Sequence, residues 1–339
     1  MLYSMLRPLL FKLDPETAHH ITFKAIETTL KLRLVKRQAL ICPTYQVMGI
    51  KFPNPIGLAA GLDKNGEHLD AISALGFGFI EIGTVTPRPQ PGNPAPRIFR
   101  IPQARAIINR LGFNNQGVDQ LIENVKTSGY KGILGINIGK NFDTAIENAV
   151  EDYRICLRKV YRYASYITIN ISSPNTQNLR QLQSTKALNT LLSELKSEQR
   201  NLAQIHGQYT PLAVKIAPDL DAPQIESIAT LLMAHQIDGV IATNTTLSRN
   251  GTEHLAASKE AGGLSGAPLT NQATAIIQQL HHFLQDSIPI IGVGGIMSAK
   301  DAKEKMDAGA SLIQIYTGLI YQGPDLILDI AKVICNPRH

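Results

Sequence analysis

The feature that most constrains this chain is the repetition of one kind of unit. From residue 55 onward, eight short β-rich runs recur at Ile56–Ala60, Phe79–Gly83, Ile133–Ile138, Tyr166–Ile171, Leu212–Ala217, Gly239–Thr243, Ile290–Val293 and Leu312–Tyr316. Most are continuously apolar rather than alternating, as parallel strands covered by helices should be. Helical stretches separate them, clearest at Thr144–Tyr163, Ser184–Ala203, Ala222–His235, Gln272–Leu284 and Ser298–Ala308. Eight strand–helix units predict an α/β fold, a closed (β/α)8 TIM barrel, with an open doubly wound sheet as its rival. Tyr45–Val47 and Ile50–Phe52, joined at Met48-Gly49, predict a hairpin that closes the bottom of the barrel. The Pro- and Gly-rich segment from Pro87 to Pro96 is expected to build part of the rim.

Before residue 40 the periodicity differs. Leu2, Met5, Leu6, Leu9, Leu10 and Leu13 form one apolar helical stripe, shortened or kinked by Pro8. Asp14 as N-cap and Pro15 at the first helical position predict a second helix, with Ile21, Ala25 and Ile26 on its less polar face beside Thr22, Thr29 and Leu30. The chain therefore divides into a small N-terminal helical extension, residues 1–40, and a barrel over residues 41–339. Residues 1–13 do not read as a secretory signal, because Arg7 and Pro8 interrupt the apolar region and no small-residue cleavage site follows.

The net charge of +6 admits nucleic acid, membrane or an anionic substrate as partner. In residues 1–40, Arg7, Lys12, Lys24, Lys31, Arg33, Lys36 and Arg37 oppose only Asp14, Glu16 and Glu27. Elsewhere no Lys/Arg block of the nucleic-acid type occurs, so no nucleic-acid partner is expected. Two amphipathic helices with Leu and Met on one side and Lys and Arg on the other suggest a monotopic membrane contact, an ordinary packed cap being the alternative. Cys42, Cys156 and Cys335 are too few and too scattered for a disulfide framework or a CxxC site, which fits a reducing compartment. The His pairs 19/20 and 281/282 lack a spaced set of further ligands, and no metal is expected.

Active sites of such barrels form at the C-terminal ends of the strands. Gly294-Gly295 lets the backbone approach an anion, Ser298-Ala299-Lys300-Asp301 begins a helix behind it, and Thr317-Gly318 adds the neighbouring strand end: together, a phosphate site. Lys215 falls mid-strand on the face of Ala213 and Ala217, so its ammonium needs an anionic partner. Glu81 is the one strand carboxylate placed to serve; a cofactor that becomes anionic on reduction fits better. Asn109, Asn114, Asn137, Asn170, Asn175 and Asn244, converging with Lys64, suit an imide-like ring that bears a carboxylate.

At Ala60-Gly61-Leu62-Asp63-Lys64, Asn109-Arg110-Leu111-Gly112-Phe113-Asn114-Asn115, Asn170-Ile171-Ser172-Ser173-Pro174-Asn175-Thr176 and Ile291-Gly292-Val293-Gly294-Gly295-Ile296, the chain resembles the dihydroorotate dehydrogenase family. Within it the likeness is to the membrane-associated, quinone-dependent class 2 enzymes of bacteria, and it covers essentially the whole chain. The resemblance implies oxidation of (S)-dihydroorotate to orotate in pyrimidine synthesis, with one FMN per chain and a ubiquinone-type quinone as co-substrate. It also implies a peripheral location on the cytoplasmic face of the inner membrane. By motif, Ala60, Gly61, Leu62, Asp63, Lys64, Thr84, Asn137, Asn170, Lys215, Thr243, Gly266, Gly295, Tyr316 and Thr317 would hold FMN. Lys64, Asn109, Arg110, Leu111, Gly112, Phe113, Asn170, Asn175, Asn244 and Thr245 would hold the substrate. Ser173 would take a proton from C5 while hydride leaves C6 for flavin N5, and His19 and Arg100 would stand at the quinone entrance. A serine hydroxyl is a poor base and no His sits in its motif, so help is expected from Thr176 or a water relay under a closed loop. A class 1 member would carry Cys in that loop and lack the terminal helices.

Overall fold

The computed structural model describes residues 2–32 and 40–335. All eight anticipated runs form parallel strands: β3 (Ile56–Leu58), β4 (Phe79–Val85), β7 (Ile133–Ile138), β8 (Tyr166–Asn170), β9 (Leu212–Ile216), β10 (Gly239–Ala242), β12 (Ile290–Val293) and β13 (Ala310–Ile315). Each pairs with the next in that order, and β13 pairs back onto β3 through Ile313↔Ile56, closing the barrel. The hairpin is present as β1 (Tyr45–Val47) and β2 (Ile50–Phe52). Val47 and Phe52 pack against Phe79, Tyr166, Ala213, Ile241, Ile291 and Leu312, and so plug the barrel floor.

Around the barrel run α3 (Leu69–Ser73), α4 (Val118–Thr127), α5 (Ala149–Val160), α6 (Thr185–His206), α7 (Ala222–Ala234), α8 (Thr270–Leu284), α9 (Ala299–Asp307), α10 (Thr317–Gln322) and α11 (Asp325–Ile334). The apolar spacing explains their seating: in α5, Ala149, Tyr153, Cys156, Leu157 and Val160 share the buried face. The α7 N-terminus is fixed by a capping box in which Asp221 and Gln224 bond each other's backbone N–H.

Two features depart from the sequence expectation. The Pro/Gly-rich rim segment leads into two strands, β5 (Ile98–Ile101) and β6 (Ala106–Asn109), which join β11 (Gly263–Gly266) in an antiparallel sheet of order β11-β6-β5. Cys42 and Cys335 are joined by a disulfide, with Cα atoms 4.8 Å apart, which corrects the reading of the cysteines as too few and too scattered to be cross-linked. The fold brings the approach to β1 beside the end of α11, where the Tyr45 hydroxyl donates to the Ile334 carbonyl at 3.4 Å. A pairing across 293 residues leaves no trace in local spacing.

The N-terminal helices are α1 (Leu2–Leu10) and α2 (Pro15–Lys31), with Asp14 accepting from the N–H groups of Glu16 and Thr17 as anticipated. α2 docks through buried Ala18 and Phe23. Arg97 holds Glu16 at 2.8 Å, and Arg7 and Tyr3 donate to the carbonyls of Tyr321 and Ile320, each at 2.6 Å. Much of the predicted stripe faces outward: Met5 is 74% and Leu9 62% exposed, and Leu6, Leu13 and Ile21 are exposed too. No described helix is long and apolar enough to cross a membrane. Arg33, Lys36 and Arg37 lie outside the described residues.

Candidate active site

A cleft of about 980 Å³ opens at the C-terminal ends of the strands, at the upper end of the range for small-molecule sites. Its wall includes Ala60, Gly61, Lys64, Thr84, Asn170, Lys215, Thr243, Gly295, Tyr316 and Thr317 from the barrel. The rim sheet adds Asn109 and Gly266 and the segment after β6 adds Leu111, Gly112 and Phe113, while Ser173, Asn175, Asn244 and Thr245 come from the loops after β8 and β10. The fold thus gathers most of the anticipated residues at one mouth.

Five do not line it. Asn114 lines the cavity under α2 instead. Arg110 turns outward: its guanidinium lies 4.5 Å from the Phe99 ring centroid and contacts Glu260 at 2.6 Å. Leu62 and Asp63 face a second cavity, and the buried Asp63 carboxylate accepts from the N–H groups of Glu67 and His68 at 2.9 and 2.8 Å, a turn-forming role. Asn137 sits one layer deeper, and its Oδ1 accepts from Thr84 Oγ1 at 2.5 Å and Asn170 Nδ2 at 3.1 Å.

The phosphate reading has a physical counterpart at Gly295. Its φ is +73°, and a Cβ there would lie 2.3 Å from Thr270, so only glycine leaves this wall open. Behind it, Ser298 caps α9 by accepting from Asp301 N–H at 3.2 Å, and Thr317 donates to Ser265 across to the rim sheet at 2.9 Å.

Electrostatics divide the two lysines. Burial pulls the Lys215 ammonium below the usual lysine value, against the attraction of Glu81, whose carboxylate bonds Asn137, Tyr166 and Gln314 and makes no direct ion pair with the ammonium. Burial takes Lys64 down to about 8, opposed by Glu16 and Asp63 and assisted by Arg97.

Ser173 is 6% exposed, and its Oγ accepts from Asn175 N–H at 3.2 Å. Thr176 Oγ1, in the same loop, is buried and has no hydrogen-bond partner. Ser172 is the structural serine, donating from Oγ to Asn170 Oδ1 at 3.1 Å and accepting from Asn244 Nδ2 at 3.0 Å. Arg180 latches the loop: its guanidinium reaches the Ser172 carbonyl at 3.1 Å, the Thr245 carbonyl at 3.0 Å and Asp219 at 2.7 Å. Burial tends to raise Asp219, but hydrogen bonds from Thr246, Leu247 N–H and Arg180 hold it below the usual carboxylate range. Sequence reasoning missed this latch, since nothing local marks Arg180 and Asp219 as partners.

The second cavity, about 1470 Å³, lies between the barrel and the N-terminal helices and is lined by Phe11, Ala18, Phe23, Ile26, Leu319 and Ile320, with His19 and Arg100 among its polar groups. Burial, then Lys64, His68 and His20, push His19 down to about 3, so it is neutral. Arg100 donates to the carbonyls of Leu10, Phe11 and Leu13 at 3.4, 3.3 and 2.9 Å, closing the C-terminal end of α1. Gly61, Lys64, Asn109, Leu111 and Tyr316 line both cavities and form the wall between them.

Against known families, the model described as dihydroorotate dehydrogenase matches residues 43–336. The chain belongs to the dihydroorotate dehydrogenase family. It is 67% identical to the dihydroorotate dehydrogenase (quinone) of Nitrosospira multiformis, over 99% of this chain and 97% of that one. It is 59% identical to the enzyme of the same name from Acinetobacter baylyi, over 98% and 100% of the two chains. Among solved structures, a dihydroorotate dehydrogenase of Eimeria tenella in complex with ferulenol superposes with a TM-score of 0.86 at 35% identity, covering 94% of this chain and 90% of that one. The chain is therefore an oxidoreductase of the quinone-dependent class 2 branch, on the TIM-barrel fold.

Proposed function

We propose that the mouth cleft holds FMN and oxidises (S)-dihydroorotate to orotate, and that the electrons pass to a ubiquinone-type quinone in the second cavity. The observation that carries this reading is the shared wall of Gly61, Lys64, Asn109, Leu111 and Tyr316, which puts two sites of unlike chemistry back to back. When bound, FMN supplies reversible two-electron transfer between carbon and quinone.

The residues present suit the group. Gly295, Gly266 and Thr317 offer a phosphate cradle, and Thr84, Asn170 and Thr243 offer polar atoms along the cleft floor. Lys215 provides a buried cation that favours an electron-rich ring. For the substrate, Lys64 neutralises the carboxylate, while Asn109, Asn170, Asn175, Asn244 and Thr245 fix the ring. Ser173 Oγ takes the C5 proton as it hands on its own hydroxyl proton, so the side chain stays neutral. The unpartnered Thr176 hydroxyl supports a water between the two, through which that proton leaves under the loop latched by Arg180. The exposed Met5, Leu6, Leu9 and Leu13, flanked by exposed Lys12, support peripheral seating on the cytoplasmic face of the inner membrane, with His19 and Arg100 at the quinone entrance.

The test is acceptor dependence. Orotate formation is expected with a ubiquinone analogue and not with fumarate or NAD as acceptor; turnover with fumarate or NAD and none with quinone would contradict the assignment.

A further inference from the structure

At the barrel floor Glu81 is fully buried and receives three donors: Asn137 Nδ2 on Oε1 at 2.8 Å, and the Tyr166 hydroxyl and Gln314 Nε2 on Oε2 at 2.9 and 2.7 Å. Glu81 and Tyr166 stand opposite one residue, Gly135, in the strand register. A Cβ at Gly135 would lie 2.3 Å from the Tyr166 ring, so glycine there is what lets that hydroxyl reach the carboxylate. The floor is built around Glu81, yet Glu81 does not touch the cleft.

Its influence reaches the cleft through one amide. A carboxamide has a donor end and an acceptor end of nearly equal shape. A carboxylate that accepts from Asn137 settles which end points down, and Asn137 Oδ1 therefore points up, taking bonds from Thr84 Oγ1 and Asn170 Nδ2. Asn170 is held at its other end by Ser172 N–H, which donates to Oδ1 at 3.2 Å, so it cannot turn over in response. If Asn137 turned, its NH2 would face the NH2 of Asn170, two donors with no acceptor between them, and Asn170 would be displaced from the cleft wall.

We infer that Glu81 is a positioning residue for the reaction, fixing through Asn137 the direction of the Asn170 and Thr84 polar groups that face flavin and substrate. The inference rests on the reading of the cleft as the dihydroorotate site. It assigns Glu81 a task apart from its charge, and two neutral variants separate acceptor from charge. Glu81→Gln can keep an oxygen for Asn137; its NH2 then stands at the Oε2 position, where the Tyr166 hydroxyl can turn to accept and the Gln314 amide must turn over to present Oε1, a buried atom with no hydrogen-bond partner in the structure, in place of Nε2. Glu81→Met is of similar length and offers no comparable acceptor.

The experiment is the dissociation constant of orotate for the FMN-loaded protein, by calorimetry and by perturbation of the flavin spectrum, beside the rate of flavin reduction at saturating dihydroorotate. Glu81→Gln should bind orotate within about threefold of the unaltered protein, and Glu81→Met at least about tenfold more weakly. Tyr166→Phe, which removes one donor but spares the Asn137 bond, should leave the affinity unchanged, whereas a packing defect would lower it. The saturating reduction rate should fall by less than the affinity in Glu81→Met, because the ring is held less well while Ser173 is untouched. Equal losses in Gln and Met variants, or none in Met, would overturn the inference. Should Glu81→Met fail to retain FMN, Asn137→Ala breaks the same link one residue on, and unchanged orotate affinity there would also overturn it. Absence of orotate binding by the unaltered protein would instead remove the functional reading underneath.

Discussion

At the wall of the mouth cleft and just beneath it, polar side chains are bonded to one another: Asn137 to Asn170, Asn170 to Ser172, Ser172 to Asn244. In the cavity under α2, Arg100 is bonded to carbonyls at the end of α1 and Tyr3 to the Ile320 carbonyl, while Glu16 and His68 pair with Arg97 and Glu27 at the edge of a wall whose apolar part is Phe11, Ala18, Phe23, Ile26, Leu319 and Ile320. The first arrangement fixes atoms to within a hydrogen bond, as a site must that selects one ring and one proton. The second offers a continuous apolar surface from Phe11 to Ile320 beside those paired groups, which suits an apolar molecule. On the proposed reading, one chain separates a reaction that needs geometry from an exchange that needs access, and the wall of Gly61, Lys64 and Tyr316 is where they meet.

The contrast can be broken from either side. The largest effect is expected at the cleft: Ser173→Ala should slow flavin reduction by dihydroorotate by about 10²–10⁴-fold while orotate and FMN bind as before, as measured by stopped-flow absorbance. An unchanged rate removes Ser173 from proton transfer. At the other cavity, Met5→Glu with Leu9→Glu should weaken binding to lipid vesicles by at least about 10²-fold, since each exposed side chain forfeits apolar burial of about 1.5–3 kcal/mol. Flavin reduction should stay the same; a parallel loss there would mean that the two regions are not separable.

Lys64 sharpens the comparison because it belongs to both walls. With its value near 8 before ligand binds, rising pH removes the ammonium that meets the substrate carboxylate. The orotate dissociation constant should stay flat below pH 8 and then climb about tenfold per pH unit, a titration followed by calorimetry. A flat profile to pH 10 would assign carboxylate recognition elsewhere. The smallest effect concerns the latch. Arg180→Lys loses the planar fork that spans Ser172, Thr245 and Asp219, and KM for dihydroorotate should rise about three- to tenfold with little change in FMN content.

How much of this was legible in the sequence follows the range of the interactions. The barrel strands are apolar runs bounded by turn residues, and every one of the eight was readable because burial on both faces is a local property of composition. Asp14 and Pro15 announced α2 for the same reason. The rim sheet was not legible: β5 and β6 are four residues each on either side of Pro102, and β11 is Gly-Leu-Ser-Gly, with little strand preference of its own. Those strands exist because they pair with each other across the chain. Asn109 and Gly266 were named as site residues through family motifs, yet the sheet that delivers them was invisible. Glu81 reads from sequence as a carboxylate in a strand, but its three donors come from β7, β8 and β13, and only closure of the barrel brings them together.

The most direct measurement of the central claim is made in one anaerobic cuvette. Purified protein should show flavin absorbance bands that bleach on addition of dihydroorotate and return, still without oxygen, on addition of a ubiquinone analogue. Bands that are absent, that do not respond to dihydroorotate, or that bleach and are not restored by quinone would contradict the picture of two unlike sites sharing one wall.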